Sequence, residues 1–281
     1  MKSFKVDLSG VTAVITGAGG VLCSAFAEAL AECGAAVALL DINLAAAETV
    51  ADRINYSGGK AVAVQANCLD KKSLEEAAAE AEKAIGKCNL LINGAGGNNP
   101  AATTSHEVFS PDFLDNADET SFFDLDSDKF GFVFDLNVKA AVLTTQVFAK
   151  DMCKTGGNIL NISSMNAYRP LTKIPAYSAA KAAVSNLTQW MAVYFAEAGI
   201  RVNAIAPGFF VTNQNHDLLI NPDGSLKPRA EKIISHTPQK RFGETEDLIG
   251  TLLWLCCDEA SGFVNGTVIP VDGGFAAYSG V

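Results

Sequence analysis

The chain has 281 residues, of which 49% are apolar and 19% charged, and its formal net charge is −10. That apolar content excludes a disordered chain, and the acidic balance excludes nonspecific binding to nucleic acid or an anionic membrane, whose phosphates it would repel. Seven cysteines (Cys23, Cys33, Cys68, Cys88, Cys153, Cys256, Cys257) are an odd number with no C-x-x-C pair, so neither a disulfide framework nor a zinc site is indicated. The opening MKSFKVDLSG has no apolar signal core, and apolar runs such as LLWLCC fall far short of the roughly 18 residues of a membrane span. A cytoplasmic protein without a membrane span is expected.

In chain order, VTAVIT, AAVALLD, AVAVQAN, NLLING, GNILNIS, IRVNAIAP and TVIPVDGG predict seven strands. Stretches of helical periodicity separate them near residues 21–33, 44–56, 72–86, 128–153, 176–198 and 245–257. Near-continuous Val/Ile/Leu/Ala runs mean burial on both faces, hence a mostly parallel sheet covered by helices. The fold class is α/β, a single doubly wound Rossmann-like domain over residues 1–281 with about seven strands. Two segments look inserted beside the carboxyl ends of strands. One is long and acidic (97–127, containing HEVFSPDFLDNADETSFFDLD), and the other (211–236) combines a Pro-Asp-Gly turn with a short helix.

The first strand runs into TGAGGVLCSAFAEAL, a glycine-rich turn that opens a helix. Gly17 and Gly20 allow backbone N–H groups to approach a pyrophosphate, and the helix N-terminus adds positive potential. No Gly-Lys-Ser/Thr follows, which disfavours a nucleotide-hydrolysing P-loop. The second strand ends in Asp41, placed to bind both ribose hydroxyls of NAD and to repel a 2′-phosphate, so NAD is favoured over NADP.

In IPAYSAAKAAVSN, Tyr177 and Lys181 stand at i and i+4 and share one helix face. An ammonium beside a phenol lowers the phenol's pKa from about 10 toward the range of an acid/base catalyst. Ser164 closes the strand of GNILNISS, where its hydroxyl can orient a reacting oxygen, and Asn137 in DLNVKAAVL can reach the lysine through water.

Together these residues resemble the short-chain dehydrogenase/reductase family over about residues 6–275. The resemblance implies the Asn-Ser-Tyr-Lys tetrad at Asn137, Ser164, Tyr177 and Lys181, with hydride transfer to or from a nicotinamide. It implies cofactor contacts from Thr16, Gly17, Gly20 and Leu22, from Asp41, from Asn67 and Cys68, from the NGAG at Asn93–Gly96, and from Thr212 after the APG at Ala206–Gly208. Tyr177 and Lys181 also face the cofactor in this pattern. Homo-oligomers, dimers or tetramers, are usual in the family. The chain departs from the usual pattern in three places: the T-G-x-x-x-G-x-G loop has Val21 and Cys23 at its later glycines, Asn67 replaces an aspartate, and Gly94 replaces the second asparagine of N-N-A-G.

Within the family, the loop GAGGVLCS and both insertions are similar to the D-mannonate oxidoreductase (fructuronate reductase) branch, which implies interconversion of D-mannonate and D-fructuronate in hexuronate breakdown. A sugar acid needs a cation and several polar partners. Asn166, Arg169 and Lys173 precede Tyr177; Asn213, Gln214, Asn215 and His216 lie in the second insertion; Asn98 and Asn99 open the first. Gluconate 5-dehydrogenase, 3-ketoacyl carrier-protein reductase and a non-catalytic NAD-binding sensor are the alternatives.

Overall fold

The computed structural model of the chain describes residues 5–212 and 215–280. Asn213 and Gln214, two of the candidate substrate residues, lie outside the described residues. Seven strands form one parallel sheet: β1 Thr12–Thr16, β2 Ala36–Asp41, β3 Lys60–Gln65, β4 Leu90–Asn93, β5 Gly157–Ile162, β6 Ile200–Pro207 and β7 Val268–Val271, in the order β3-β2-β1-β4-β5-β6-β7. Every pairing is parallel.

The helices fall on two sides because alternate strand residues face opposite ways. Ala13, Ile15, Val37 and Leu39 pack with α1 (Val21–Glu32), α2 (Leu44–Tyr56) and α9 (Glu246–Cys256), where Phe26, Leu30 and Leu252 are fully buried. Val14, Ala38 and Leu40 pack with α3 (Lys71–Ile85), α5 (Ala140–Thr155) and α6 (Pro175–Tyr194) through Leu74, Phe148, Met152 and Met191. At about 25 cal/mol per Å² of apolar area removed from water, these two faces supply the main stabilisation. The remaining helices are α4 (Ser127–Phe134), α7 (His216–Leu219), α8 (Pro228–His236) and α10 (Asp258–Ser261).

Helix starts follow local chemistry. The Asn43 side chain accepts from Ala46 N–H ahead of α2, Asp70 accepts from Lys72 N–H ahead of α3, and Pro175 occupies the first turn of α6. Gly20 precedes α1 without a side-chain cap, so no side chain competes for its first N–H groups.

The helix expected at 128–153 is two helices joined by a π turn at Asp135–Lys139. The cause is Asn137, whose Nδ2 donates to Val133 O at 2.8 Å and so takes the carbonyl that its own helix turn would use. The combined stretch, Ser127–Thr155, is apolar and long enough to cross a membrane by composition, with mean hydropathy 1.2. Here Ala140, Phe148 and Met152 pack into the core beside the sheet, and Val133 packs with Ala176 and Ala180 of α6. The expected helix at 176–198 ends at Tyr194 and continues as a 3₁₀ turn, Ala196–Ala198. All seven cysteines are unpaired, and Cys23, Cys68, Cys256 and Cys257 are buried.

Strand order reverses between β1 and β4, so the crevice of a doubly wound sheet opens at the carboxyl ends of those two strands.

Candidate active site

At the end of β1 the chain turns through Gly17, at φ +66°. A Cβ there would stand 3.0 Å from Ala95 Cα, so the turn requires glycine for conformation and for space. Thr16 ties the loops after β1 and β4 together: its hydroxyl accepts from Gly94 N–H (3.1 Å) and Ala95 N–H (3.2 Å). Asp41 closes the other side, with one carboxylate oxygen accepting from Gly19 N–H and the other from Asn43 N–H, both at 2.9 Å. A carboxylate offers about four acceptor sites, so these bonds leave capacity for ribose hydroxyls.

Two departures from the family pattern are parts of one packing arrangement. A Cβ on Gly94 would lie 2.2 Å from Cys23 Sγ and 2.7 Å from Thr16 O. The thiol that replaces a glycine of the phosphate loop therefore fills the space from which an asparagine side chain has been removed.

The chemistry-bearing helix, α6, is pinned to β5 along one face. Ser163 Oγ donates to Lys181 O (3.2 Å) and bonds Ser185 Oγ (2.7 Å), and Asn161 Nδ2 donates to Thr188 Oγ1 (2.9 Å). Positions 181, 185 and 188 follow helical spacing, so the same stripe that carries Lys181 carries its anchors. Lys181 is 4% exposed and donates from Nζ to Ile162 O at 2.8 Å. Its Nζ stands 5.6 Å from the centroid of the Tyr177 ring. The Ser164 hydroxyl acts on the Tyr177 phenol by lowering its pKa, and accepts from Asn166 N–H at 3.2 Å.

Electrostatics here reverse one expectation. Burial pushes the Tyr177 phenol up to about 12, with the Ser164 hydroxyl pulling the other way, and Lys181 does not lower it. Burial also pushes Lys181 down to about 8. Spacing on a helix brings two groups together, but desolvation of the charged forms outweighs their mutual effect when both are enclosed.

Asn137 lies beside the lysine across Gly96. Its amide is engaged by backbone: Nδ2 donates to Gly97 O (2.7 Å) and Val133 O (2.8 Å), and Oδ1 accepts from Gly97 N–H (3.3 Å). A Cβ on Gly96 would meet both Asn137 Oδ1 (2.6 Å) and Lys181 Nζ (3.2 Å), so the three converge on one backbone position.

Other expected residues are placed differently. The Asn93 side chain is buried, donating to Thr145 Oγ1 and Asn161 Oδ1. Cys68 turns into the core, where burial pushes its thiol up to about 11. Leu22 packs on the α1 side of the core. Asn67 is exposed, its Oδ1 accepting from Leu69 N–H. Thr212 sits in the turn before α7, where its N–H donates to Asn215 Oδ1. Arg169 donates from Nε to Ala276 O, and Asn98 and Asn99 bond within their own loop. His216 pairs with its neighbour Asp217. A cavity of about 400 Å³ lies beside β6 and β7 against Phe209, Phe210, Arg241 and Asp272 and does not include Tyr177.

Sequence reasoning missed Ile162 O as the partner of Lys181, Cys23 as the neighbour of Gly94, and an ion pair between the two insertions, Glu107 with Lys232. For Cys23 and Gly94 a signal existed, since both break the family pattern.

Comparison with known proteins fits this geometry. Residues 17–276 match the family model described as enoyl-(acyl carrier protein) reductase. An uncharacterized oxidoreductase of Bacillus subtilis, UxuB, is 54% identical over 98% of this chain and 98% of its own. A Haemophilus structure described as a candidate D-mannonate oxidoreductase with bound NAD is 56% identical, covers 98% of each chain and superposes with a TM-score of 0.94. The 7alpha-hydroxysteroid dehydrogenase of Escherichia coli K12 is 34% identical over 97% of this chain and 96% of its own. Matched over nearly all its length, with the tetrad residues gathered at the sheet's switch point, the chain belongs to the short-chain dehydrogenase/reductase family of oxidoreductases.

Proposed function

We propose that the protein is an NAD-dependent oxidoreductase that interconverts a secondary alcohol and a ketone of a sugar acid, D-mannonate and D-fructuronate. The observation that carries the reading is the grouping of Ser164, Tyr177 and Lys181 at the carboxyl end of β5, joined through Gly96 to Asn137. The residues around the β1 turn fit a dinucleotide. Gly17 brings backbone against backbone, α1 begins without a side-chain cap, and Asp41 ends β2 where a ribose would lie. Bound NAD supplies the hydride donor or acceptor.

The chain's own groups handle the proton. With its pKa pushed up to about 12, Tyr177 is a protonated phenol at neutral pH and a ready donor to the oxygen of a ketone under reduction. Ser164, whose hydroxyl favours the phenolate, positions the substrate oxygen. Lys181, down at about 8, still carries its proton at neutral pH and stabilises the phenolate once the proton has left. In oxidation the same phenolate accepts the alcohol proton. Asn137 holds the loop at Gly97 and thereby the space beside Lys181.

The similarity to the Haemophilus structure supports the sugar-acid substrate. The test is NADH oxidation followed at 340 nm with D-fructuronate, D-tagaturonate and 5-keto-D-gluconate, repeated with NADPH. A strong NADH-dependent rate on D-fructuronate alone is expected. Turnover of a different ketone only would keep the tetrad assignment and sink the substrate.

A further inference from the structure

Lys232 pairs with Glu107, and the charges of Lys173 and Arg229 act on the same carboxylate, in a protein whose net charge is −10. Glu107, in the first insertion, pairs with Lys232 on α8 of the second. Its carboxyl is held below the usual range, first by the hydrogen bond from Lys232 and then by the charges of Lys232, Lys173 and Arg229, against a burial effect of opposite sign.

Lys173 differs from the other two. It is one of only two described non-glycine residues at positive φ, +73°. That backbone state is costly and persists where surrounding contacts enforce it, often beside a functional site. The enforcing contact is Thr104 N–H, which donates to Lys173 O at 2.9 Å from a position three residues before Glu107. Lys173 also stands four residues before Tyr177, in the segment that leads into α6. Of the two cations between Ser164 and Tyr177, Arg169 is tied to Ala276 O, whereas the Lys173 ammonium has no ion pair within 4 Å among the described residues.

We propose that Lys173 and Lys232 take the carboxylate of the substrate, and that Glu107 is an internal carboxylate holding their place until substrate displaces it. The proposal rests on the sugar-acid reading above. Exchange is feasible because the Glu107–Lys232 pair is exposed, 40% and 57%, and exposed pairs are weak. One carboxylate replaces another, so the cations stay neutralised throughout. Because Glu107 and Lys232 join the two insertions, the exchange also frees one insertion from the other as substrate enters.

The experiment is calorimetric titration of the NADH complex with D-fructuronate and with D-fructose, its analogue in which CH₂OH replaces the carboxylate, alongside kcat/KM for both. Wild type, Glu107→Gln, Lys173→Met and Lys232→Met are compared, the last lying on an exposed helix face where folding is not at risk. Glu107→Gln is expected to tighten D-fructuronate about two- to fivefold by removing the competitor. Each Lys→Met variant is expected to weaken it about tenfold. NADH affinity and the D-fructose parameters stay within about twofold of wild type. Unchanged D-fructuronate affinity in Glu107→Gln and both lysine variants, or parallel changes for D-fructose, would overturn the proposal while leaving the reaction standing. Should wild type neither bind nor reduce D-fructuronate, the sugar-acid assignment falls. The same titration with 5-keto-D-gluconate then decides: a charge-dependent response keeps the carboxylate site, and no response removes it.

Discussion

On the floor of the crevice Lys181 is 4% exposed and its helix is pinned to β5 at three successive positions, whereas on the rim the Glu107–Lys232 pair is 40% and 57% exposed. The rim also carries Val108, Leu114, Phe122 and Phe123 largely in solvent, and Phe109, Phe122 and Phe123 meet edge to face at 5.8 and 5.9 Å. Buried polar contacts hold a single geometry because breaking one strands a desolvated group. Exposed pairs contribute at most about 1 kcal/mol and can trade partners. On the function proposed above, the difference separates two tasks: proton and hydride geometry in the part that cannot move, and substrate identity in the part that can.

The sharpest way to break this comparison is Tyr177→Phe. Turnover should fall by a factor on the order of 10³ while NADH affinity, read by fluorescence titration, holds. A variant that kept most of its turnover would remove the floor's claim to the chemistry. Next is Lys181→Met. With a folded pKa near 8, the wild-type lysine binds fewer protons folded than unfolded above that pH. Lys181 should therefore add stability to the cofactor-free protein from pH 8 to 10, by roughly 2 kcal/mol, against the buried thiols of Cys23, Cys68, Cys88 and Cys256, whose raised pKa values act in the opposite sense. The stability difference, wild type minus Lys181→Met, read from urea unfolding, should grow by that amount over this range; a difference that stays constant would mean the lysine is not desolvated. Above pH 10 Tyr177 acts in the opposite sense, because its raised pKa stabilises the folded state only while the phenol keeps its proton.

Gly94→Asn restores the usual family residue and should still cost about 1–3 kcal/mol by overpacking against Cys23. Adding Cys23→Gly should recover part of that loss but not all, since Thr16 O remains 2.7 Å away. Additive losses in the double mutant would show that the two positions are independent. The smallest expected effect is at the rim, where Phe123→Ser should shift stability by no more than about 0.5 kcal/mol; a larger shift in the denaturation midpoint would mean the rim is packed more firmly than its exposure indicates.

The sheet was legible because its central strands are buried on both faces and end at residues that a crevice uses: Thr16 in β1, Asp41 in β2 and, two residues past β5, Ser164. Helix spacing likewise placed Tyr177 and Lys181 together. What spacing does not report is the medium around them, and the direction of the Tyr177 shift depends on that medium. Contacts between distant loops were hidden for a different reason. Glu107 and Lys232 are separated by 125 residues, and Arg169 and Ala276 by 107, with no periodicity to link them. The π turn was hidden because a hydrophobic period averages over many residues and does not register one extra; the nearest clue was a polar Asn137 inside an apolar helix.

That one extra residue has a geometric consequence. Each residue of an α-helix advances the phase by about 100°, so the wider turn at Asp135–Lys139 sets the angle at which α4 leaves α5. The first insertion enters α4 directly, and its aromatic rim inherits that angle. Deleting a single residue there would regularise the helix yet swing the rim by about a quarter to a third of a turn around the crevice. The insertion's aim is thus encoded in a helix register, remote from the loop it aims.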